Sequence, residues 1–437
     1  MTTEQGSTGA NVDGSGERDQ FIPVRKDDLL DALIEHGPLG SEAEREKFRQ
    51  VCRFLAAIYH YEYFEQLERL RHDYYYFNPE LEPHARFDQA TLDAAYGDLV
   101  KSFAAVVRDA NFVEVPHAAI EHAHRTHALT RVELEVPIDD FRDVRFFRRG
   151  HHQETVEDTE WFGLRKRKHD VTVYDDVILF VAMKREAEIA SNREKRKLAR
   201  TRMRPGSVLI KYFRNVPSKD LRGLFPNVRV VMSMFDMLFL SVPALAGAIP
   251  ILINLASTVV VLFLVIGFYL GVVAAVEHDQ LKRAFAALSG LIALIGFVMR
   301  QWLRYQRQSL KYQKELTDNV YFRNVNNNAG IFDYMIGAAE EQECKEAFLA
   351  YCFLRMEKAT QAELERRIET WLKQALGIEV DFKIDEALAR LERLGLIRRD
   401  GERLAVPPPE ATLVRLDEVW AGYFQVEVAS PATAAEG

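Results

Sequence analysis

MLFLSVPALAGAIPILINLASTVVVLFLVIGFYLGVVAAV, residues Met237 to Val276, is a 40-residue run without a charged side chain. A second run, Ala284 to Met299, follows the polar island Glu277-His278-Asp279-Gln280-Leu281-Lys282-Arg283. Together they predict a hydrophobic hairpin at mid-chain. A bilayer core of about 30 Å takes about 20 helical residues, whereas 40 residues in one helix would reach about 60 Å, so one unbroken span is excluded. Pro243, Gly247 and Pro250 interrupt the first third. Residues 237–249 therefore read as a lead-in near the interface, and 251–276 as a tilted span. The second span, 283–300, is short, and Arg283 and Arg300 at its ends can snorkel. Alternatively the first run divides near Asn254 to Ser257, which makes three spans.

Charge sets the expected topology. Arg300, Arg304, Arg307, Lys311 and Lys314 follow the second run, and Lys219, Arg222 and Arg229 precede the first. Positive flanks on both outer sides place them in the cytoplasm, which predicts a multi-pass protein of a bacterial inner membrane with both termini cytoplasmic. Between the flanking arginines neither run contains Asp, Glu, Lys, Arg or His, which weighs against a pump or coupled transporter. Gly267 and Gly271 form a GxxxG spacing, and with Gly290 they are candidates for close helix packing; alternatively, small residues are simply common in membrane helices.

The fold class expected from the sequence is an α+β membrane protein with a central transmembrane helical hairpin, an N-terminal helical plus β region and a C-terminal winged-helix-like region. Residues 1–20, rich in Gly, Ser, Thr and Glu, read as a disordered tail, as do 425–437. Residues 21–110 carry apolar positions at helical spacing, such as Phe48, Val51, Cys52, Leu55, Ile58 and Tyr59. Residues 111–215 hold short β-branched and aromatic stretches, and the alternation Val132-Glu133-Leu134-Glu135-Val136 predicts a sheet with one wet face. Juxtamembrane helices are expected over 301–360. In 361–424, helices over Gln361 to Leu376 and up to Gly395 precede a hairpin turning at Asp400-Gly401, the order of a winged helix. A DNA reader would show a basic face on the last helix, yet Glu386, Arg390, Glu392 and Arg393 alternate in sign.

Candidate chemistry is sparse. The chain has 437 residues and a net charge of −8, which argues against general nucleic-acid binding. Cys52, Cys344 and Cys352 show no framework spacing and read as reduced thiols. Seven of the twelve histidines fall between 117 and 169, and His117, His122, His124 and His127 are candidate metal ligands. His122-x-His124-x-x-His127 matches no standard ligand spacing, so solvated histidines are the alternative. No cofactor is predicted. In the basic stretch 184–204, Arg193, Lys195, Arg196, Lys197 and Arg200 are candidates for anionic lipid head groups, with a solvated linker as the alternative.

SVLIKYFRNVPSKDLRGLFP from Ser207 to Pro226, Met234-Phe235-Asp236, YFRNVNNNAG from Tyr321 to Gly330 and AEEQECKEA from Ala339 to Ala347 resemble the domain-of-unknown-function family 3754, whose animal relative is transmembrane protein 143, a mitochondrial membrane protein. The resemblance spans roughly Phe21 to Phe424. It implies a membrane protein of unknown biochemistry and carries over no active-site residue. The function expected is a non-enzymatic, membrane-tethered scaffold or partner-binding protein, with the bilayer, a protein partner or a second copy of the chain as partners. The alternative is a membrane-bound, metal-dependent enzyme using the His-rich β region. The absence of GxxxxGK[ST], GxSxG and HExxH motifs weighs against common enzyme classes.

Overall fold

The computed structural model describes residues 19–81, 87–116, 132–135, 141–160, 165–189, 204–226, 229–232, 263, 266–268, 270–271 and 278–424. The chain divides into a larger unit, made of Met1–Ala123, Ile138–Leu221 and Arg323–Gly437, and a smaller one, made of His124–Pro137 and Arg222–Phe322.

The larger unit begins with helices α1 (Lys26–His36), α2 (Glu42–Tyr75) and α3 (Gln89–Asp109). Ser41 starts α2 through a capping box, its hydroxyl accepting from Glu44 N–H while the Glu44 carboxylate accepts from Ser41 N–H. Phe48, Val51, Cys52, Leu55, Ile58, Tyr59, Tyr63, Leu67, Leu70 and Tyr74 then form one buried face of this 34-residue helix. Tyr74 and Phe77 turn the chain into the core: Tyr74 Oη donates to Val208 O at 2.9 Å, and Val208 N–H donates to Phe77 O at 2.9 Å.

A five-stranded antiparallel sheet follows, β1 (Val113–Glu114), β3 (Phe141–Glu160), β4 (Arg165–Met183), β5 (Val208–Pro217) and β7 (Asn324–Asn327), paired in the order β1-β3-β4-β5-β7. Val177 to Met183 in β4 is a continuous apolar run and all seven residues are buried, so this strand is covered on both faces. Phe147, Phe180 and Tyr212 point into the helical core, where Phe103 of α3 lies 5.0 Å from Phe180 between ring centroids. Gly150 sits opposite Asp175, between the Arg149–Asp176 and His151–Tyr174 pairs, with φ +67°. A Cβ there would meet Asp175 Oδ2 at 2.3 Å. Gly150→Ala is therefore expected to lower unfolding free energy by about 1–2 kcal/mol, read as an earlier urea midpoint; an unchanged midpoint would show that the strand relaxes around the methyl.

After β7 the chain enters α5 (Gly330–Met356), numbered after α4 of the smaller unit (His278–Arg323). Every residue from Gln342 to Cys352 is buried, so α5 is the central post of the larger unit. Helices α6 (Gln361–Leu376) and α7 (Asp385–Arg393), the hairpin β8 (Arg398–Asp400) and β9 (Arg403–Ala405), and α8 (Pro409–Gly422) complete it. Thr360 caps α6, Gly377 ends it at φ +69°, and Gly401 turns the hairpin at φ +64°. Ala359 bridges Leu404 in β9, adding a third extended segment beside the hairpin.

In the smaller unit β2 (Val132–Glu135) pairs antiparallel with β6 (Arg229–Met232), so the alternating stretch does not join the main sheet. The helix α4 runs 46 residues, about 69 Å at 1.5 Å per residue.

The expectation of a transmembrane hairpin is corrected here. Among the described residues no helix is long and apolar enough to cross a membrane. The apolar part of α4, Ala284 to Met299, covers only about 24 Å against a core of about 30 Å. It is no separate span: α4 continues without a break through Arg300, Arg304, Arg307, Lys311 and Lys314. Of the first run only Phe263, Ile266 to Phe268, Leu270 and Gly271 are described. Gly271 takes φ +74° in a turn, its N–H donating to Phe268 O, so no single helix covers 251–276. The fold class is mixed helix and antiparallel sheet, and the transmembrane hairpin, the membrane class and the multi-pass topology with cytoplasmic termini fall with it. The lead-in 237–249 lies outside the described residues.

Candidate functional site

The AEEQECKEA stretch places four glutamates and a lysine, Glu340, Glu341, Glu343, Glu346 and Lys345, in the middle of α5. Gln342, Glu343, Lys345 and Glu346 are all at most 5 % exposed. Buried charges require partners, and Glu343, Lys345 and Glu346 find them on other elements, while Gln342 donates to Glu346 within α5.

Glu343 faces Asp109, the last residue of α3, and Arg390 of α7. Arg390 Nη2 donates to Asp109 Oδ2 at 2.7 Å and to Tyr63 Oη at 3.0 Å. Arg390 Nε stands 2.9 Å from Glu343 Oε2, an ion-pair distance without hydrogen-bond alignment. Tyr63 Oη also donates to Asp109 at 3.3 Å, and the guanidinium lies over the Tyr63 ring at 5.3 Å. The hydroxyl of Tyr59, fully buried, has no hydrogen-bond partner. Arg390 serves both buried carboxylates, and the exposed Arg108 reaches only Asp109, through Oδ1 at 3.4 Å. Burial, opposed by Arg390, accordingly raises Glu343 to about 9, so it keeps its proton at neutral pH.

One turn further along α5, Glu346 accepts from Gln342 Nε2 at 2.9 Å and from Asn111 Nδ2 at 3.0 Å. Asn111 takes φ +57° just after α3, a conformation asparagine tolerates. Burial raises Glu346 to about 7 against those two hydrogen bonds. Lys345 donates to Ile22 O at 2.7 Å and Val24 O at 3.1 Å, and burial lowers it to about 8. A second ionic knot ties the sheet to α5: Arg149 donates to Asp176 Oδ2 through Nε at 3.0 Å, while Tyr212 Oη donates to Asp176 Oδ1 and lies 2.6 Å from Tyr334 Oη, from which it can accept. The Arg149 guanidinium is stacked between Phe21 and Phe112, 4.4 and 4.6 Å from their centroids.

These arrangements can bind structure together; they offer little to a ligand. Carboxylate oxygens of Asp109, Glu343 and Glu386 lie within 4.8 Å of one another, a spacing that could hold a cation. Arg390, however, already stands between Asp109 and Glu343 at 2.7 and 2.9 Å, and Arg108 pairs with Glu386 at 3.1 Å. The positive charge that a metal would supply is provided by the protein itself. Burial raises all three cysteine thiols, Cys344 and Cys352 to about 12, so they stay protonated.

Sequence candidates land elsewhere or outside view. His117, His122, His124 and His127 lie outside the described residues, as do Arg193, Lys195, Arg196, Lys197 and Arg200. His151 and His152 are in β3, paired with Asp19 at 2.7 Å and Asp175 at 2.6 Å. Gly267 and Gly290 lie in helical segments and Gly271 in the turn described above. On α7 the alternating charges are paired within the chain: Arg390 joins the buried knot, while at the surface Arg393 Nη2 donates to Glu62 Oε2 at 2.6 Å and Glu386 meets Arg108. On the hairpin, Arg399 clamps Glu392 through two hydrogen bonds of 2.8 and 2.9 Å.

An open surface feature remains. Gln50, Arg53, Phe54 and Ala57 on one ridge of α2, and Leu413 and Trp420 two turns apart on α8, line a groove of about 460 Å³. Its end carries an aromatic cluster: Tyr61 lies 4.9 Å from Tyr423 and 5.4 Å from Phe424, and Trp420 is 5.6 Å from Phe424. Phe424, Phe64 and Val414 are more than half exposed nearby. The spacing i, i+3, i+4, i+7 on α2 was legible, but its outer half reads as a polar face because Gln50 and Arg53 flank Phe54.

Residues 174–330 match the model of the family described as "Protein of unknown function (DUF3754)". The match shows the family and does not by itself show a relationship to transmembrane protein 143. No solved structure matches the chain.

Proposed function

Residues 174–330 belong to the family of unknown function DUF3754, and from that premise we propose that the chain is a non-enzymatic, partner-binding scaffold that takes an amphipathic helix of another protein in the α2/α8 groove. The carrying observation is the groove itself. Two neighbouring helices line it, with Phe54, Leu413 and Trp420 half-buried and Arg53 and Ala57 exposed. A helix with apolar residues at i, i+3 or i+4 and i+7 fits such a trough, and an acidic residue on its flank would meet Arg53. Support also comes from the pairing of α7 within the chain. Arg390 and Arg393 are spent on Asp109, Glu343 and Glu62, so the helix that would read DNA in a winged helix has its charges engaged within the chain.

The test uses the full-length chain with benzoylphenylalanine replacing the exposed Gln50, irradiated in cells, and mass spectrometry of the adducts. Adducts mapping to one amphipathic helix of a partner, reduced about tenfold by Ala57→Glu, are expected. Ala57 is exposed on α2, so that variant keeps the core. Adducts that ignore Ala57→Glu, or none at all, would sink the proposal.

A further inference from the structure

In α4 the large side chains Phe285, Leu288, Ile292, Ile295 and Met299 are 38–65 % exposed. Their spacing is 3-4-3-4, and Trp302, also exposed, continues it by three. That is the a/d pattern of a heptad repeat, with Phe285, Ile292 and Met299 at a and Leu288, Ile295 and Trp302 at d. Leu281 falls on the preceding d position. A 3.5-residue period has a specific physical meaning. On a straight helix of 3.6 residues per turn the stripe drifts by about 20° per heptad, and only supercoiling around another helix of the same period keeps it in contact.

The charges obey the same register. Arg300, Arg304, Arg307, Lys311 and Lys314 are spaced 4-3-4-3 and fall only on b and f positions, the side away from the a/d seam. All five are exposed. Two copies of α4 can therefore lie side by side without bringing these like charges into the seam. A partner of different sequence would need its own matched heptads, while a second α4 has them by identity.

We infer that α4 is a self-association helix and that the occupant of its apolar face is α4 of another copy of this chain, packed through Phe285, Leu288, Ile292, Ile295 and Met299. Apolar residues also flank the seam, with Val298 at g and Leu303 at e exposed. A stripe that wide can serve more than one neighbour, so assemblies above a dimer are included. The inference is independent of the α2/α8 groove, which lies on other helices.

Sedimentation velocity of the purified full-length chain, at tens of micromolar, tests it. The unaltered chain is expected to sediment as a dimer or higher oligomer. Ile292→Glu with Ile295→Glu should weaken association by about 100-fold, while Arg304→Glu, on the outer f position, should leave it in place. Circular dichroism reports whether each variant stays folded, and α4 can be probed without a charge change. Single cysteines at 285, 288, 292, 295 and 299 should form interchain disulfides efficiently, and one at 304 should not. A monomeric chain, an oligomer indifferent to the paired glutamates, or crosslinking without the 3-4 rhythm each overturns the inference. A monomer whose apolar helix face carries co-purifying lipid overturns it as well.

Discussion

Arg390→Leu is expected to destabilise the larger unit by about 3–5 kcal/mol at neutral pH, since it removes the buried guanidinium between two buried carboxyl groups and leaves Asp109 only the long 3.4 Å contact with the exposed Arg108. Asp109 and Glu343 are 5 % and 1 % exposed and stand 2.7 and 2.9 Å from Arg390, so water cannot replace the lost charge without opening the core. The cost lies in leaving Asp109 buried with only Tyr63 and the exposed Arg108 as partners, more than in losing the pair itself. Adding Asp109→Asn and Glu343→Gln to Arg390→Leu should therefore recover most of the loss, because no charge then remains in the pocket. Urea unfolding followed by far-ultraviolet circular dichroism reads both variants. A loss under about 1 kcal/mol for the single variant would mean that the pocket is hydrated and the knot adds little.

The same pocket makes stability depend on pH. Glu343 at about 9 and Glu346 at about 7 are both held above the ordinary carboxylate value of 4.5. The folded state then binds protons that the unfolded state has released, so their contribution is complete below about pH 4.5. It declines as pH rises through 7 and then 9. Lys345, lowered to about 8 from 10.5, acts in the other direction, but only between about pH 8 and 10.5. Between pH 5 and 8 the two glutamates act alone, and stability should fall with increasing pH. Each group adds a slope of up to about 1.4 kcal/mol per pH unit. Glu343→Gln keeps the shape of the neutral acid and should flatten the curve by roughly one proton's worth. Thermal midpoints of both chains across pH 5–8 check this; equal slopes would show that Glu343 is ionised in the fold.

What could be read in the sequence was mostly what repeats. The spacing Phe48, Val51, Cys52, Leu55, Ile58 predicts α2, and the bounds Gln361 to Leu376 agree with α6, where Thr360 and Gly377 supply start and stop signals. Short β stretches were visible, but not that 20- and 19-residue strands would join them, because the positive φ of Gly150 that bends β3 leaves no mark in composition. The mid-chain apolar run misled for a related reason. Counting uncharged residues assumes that the helix goes on, whereas the turn at Gly271 and the 46-residue continuity of α4 are conformational facts. Nothing in one dimension marks Glu343, Lys345 and Glu346 as buried. Their partners Asp109, Arg390, Ile22 and Asn111 come from segments hundreds of residues apart or on other helices, and only folding brings them to α5.

The larger unit is assembled from three separated pieces of chain, with its central post α5 in the last of them. A ribosome making this protein exports α1, α2, α3 and four of the five main-sheet strands before β7 and α5 exist. The β5 edge waits for Asn324 to Asn327, and until residue 356 emerges Phe48, Leu55, Tyr59 and Tyr74 have no complete α5 to close over them. Contacts of such long sequence separation form late and slowly. During translation the nascent chain thus exposes apolar helix faces and an unpaired strand edge, the kind of surface that aggregates or recruits chaperones. The protein's maturation is timed by the arrival of its C-terminal third.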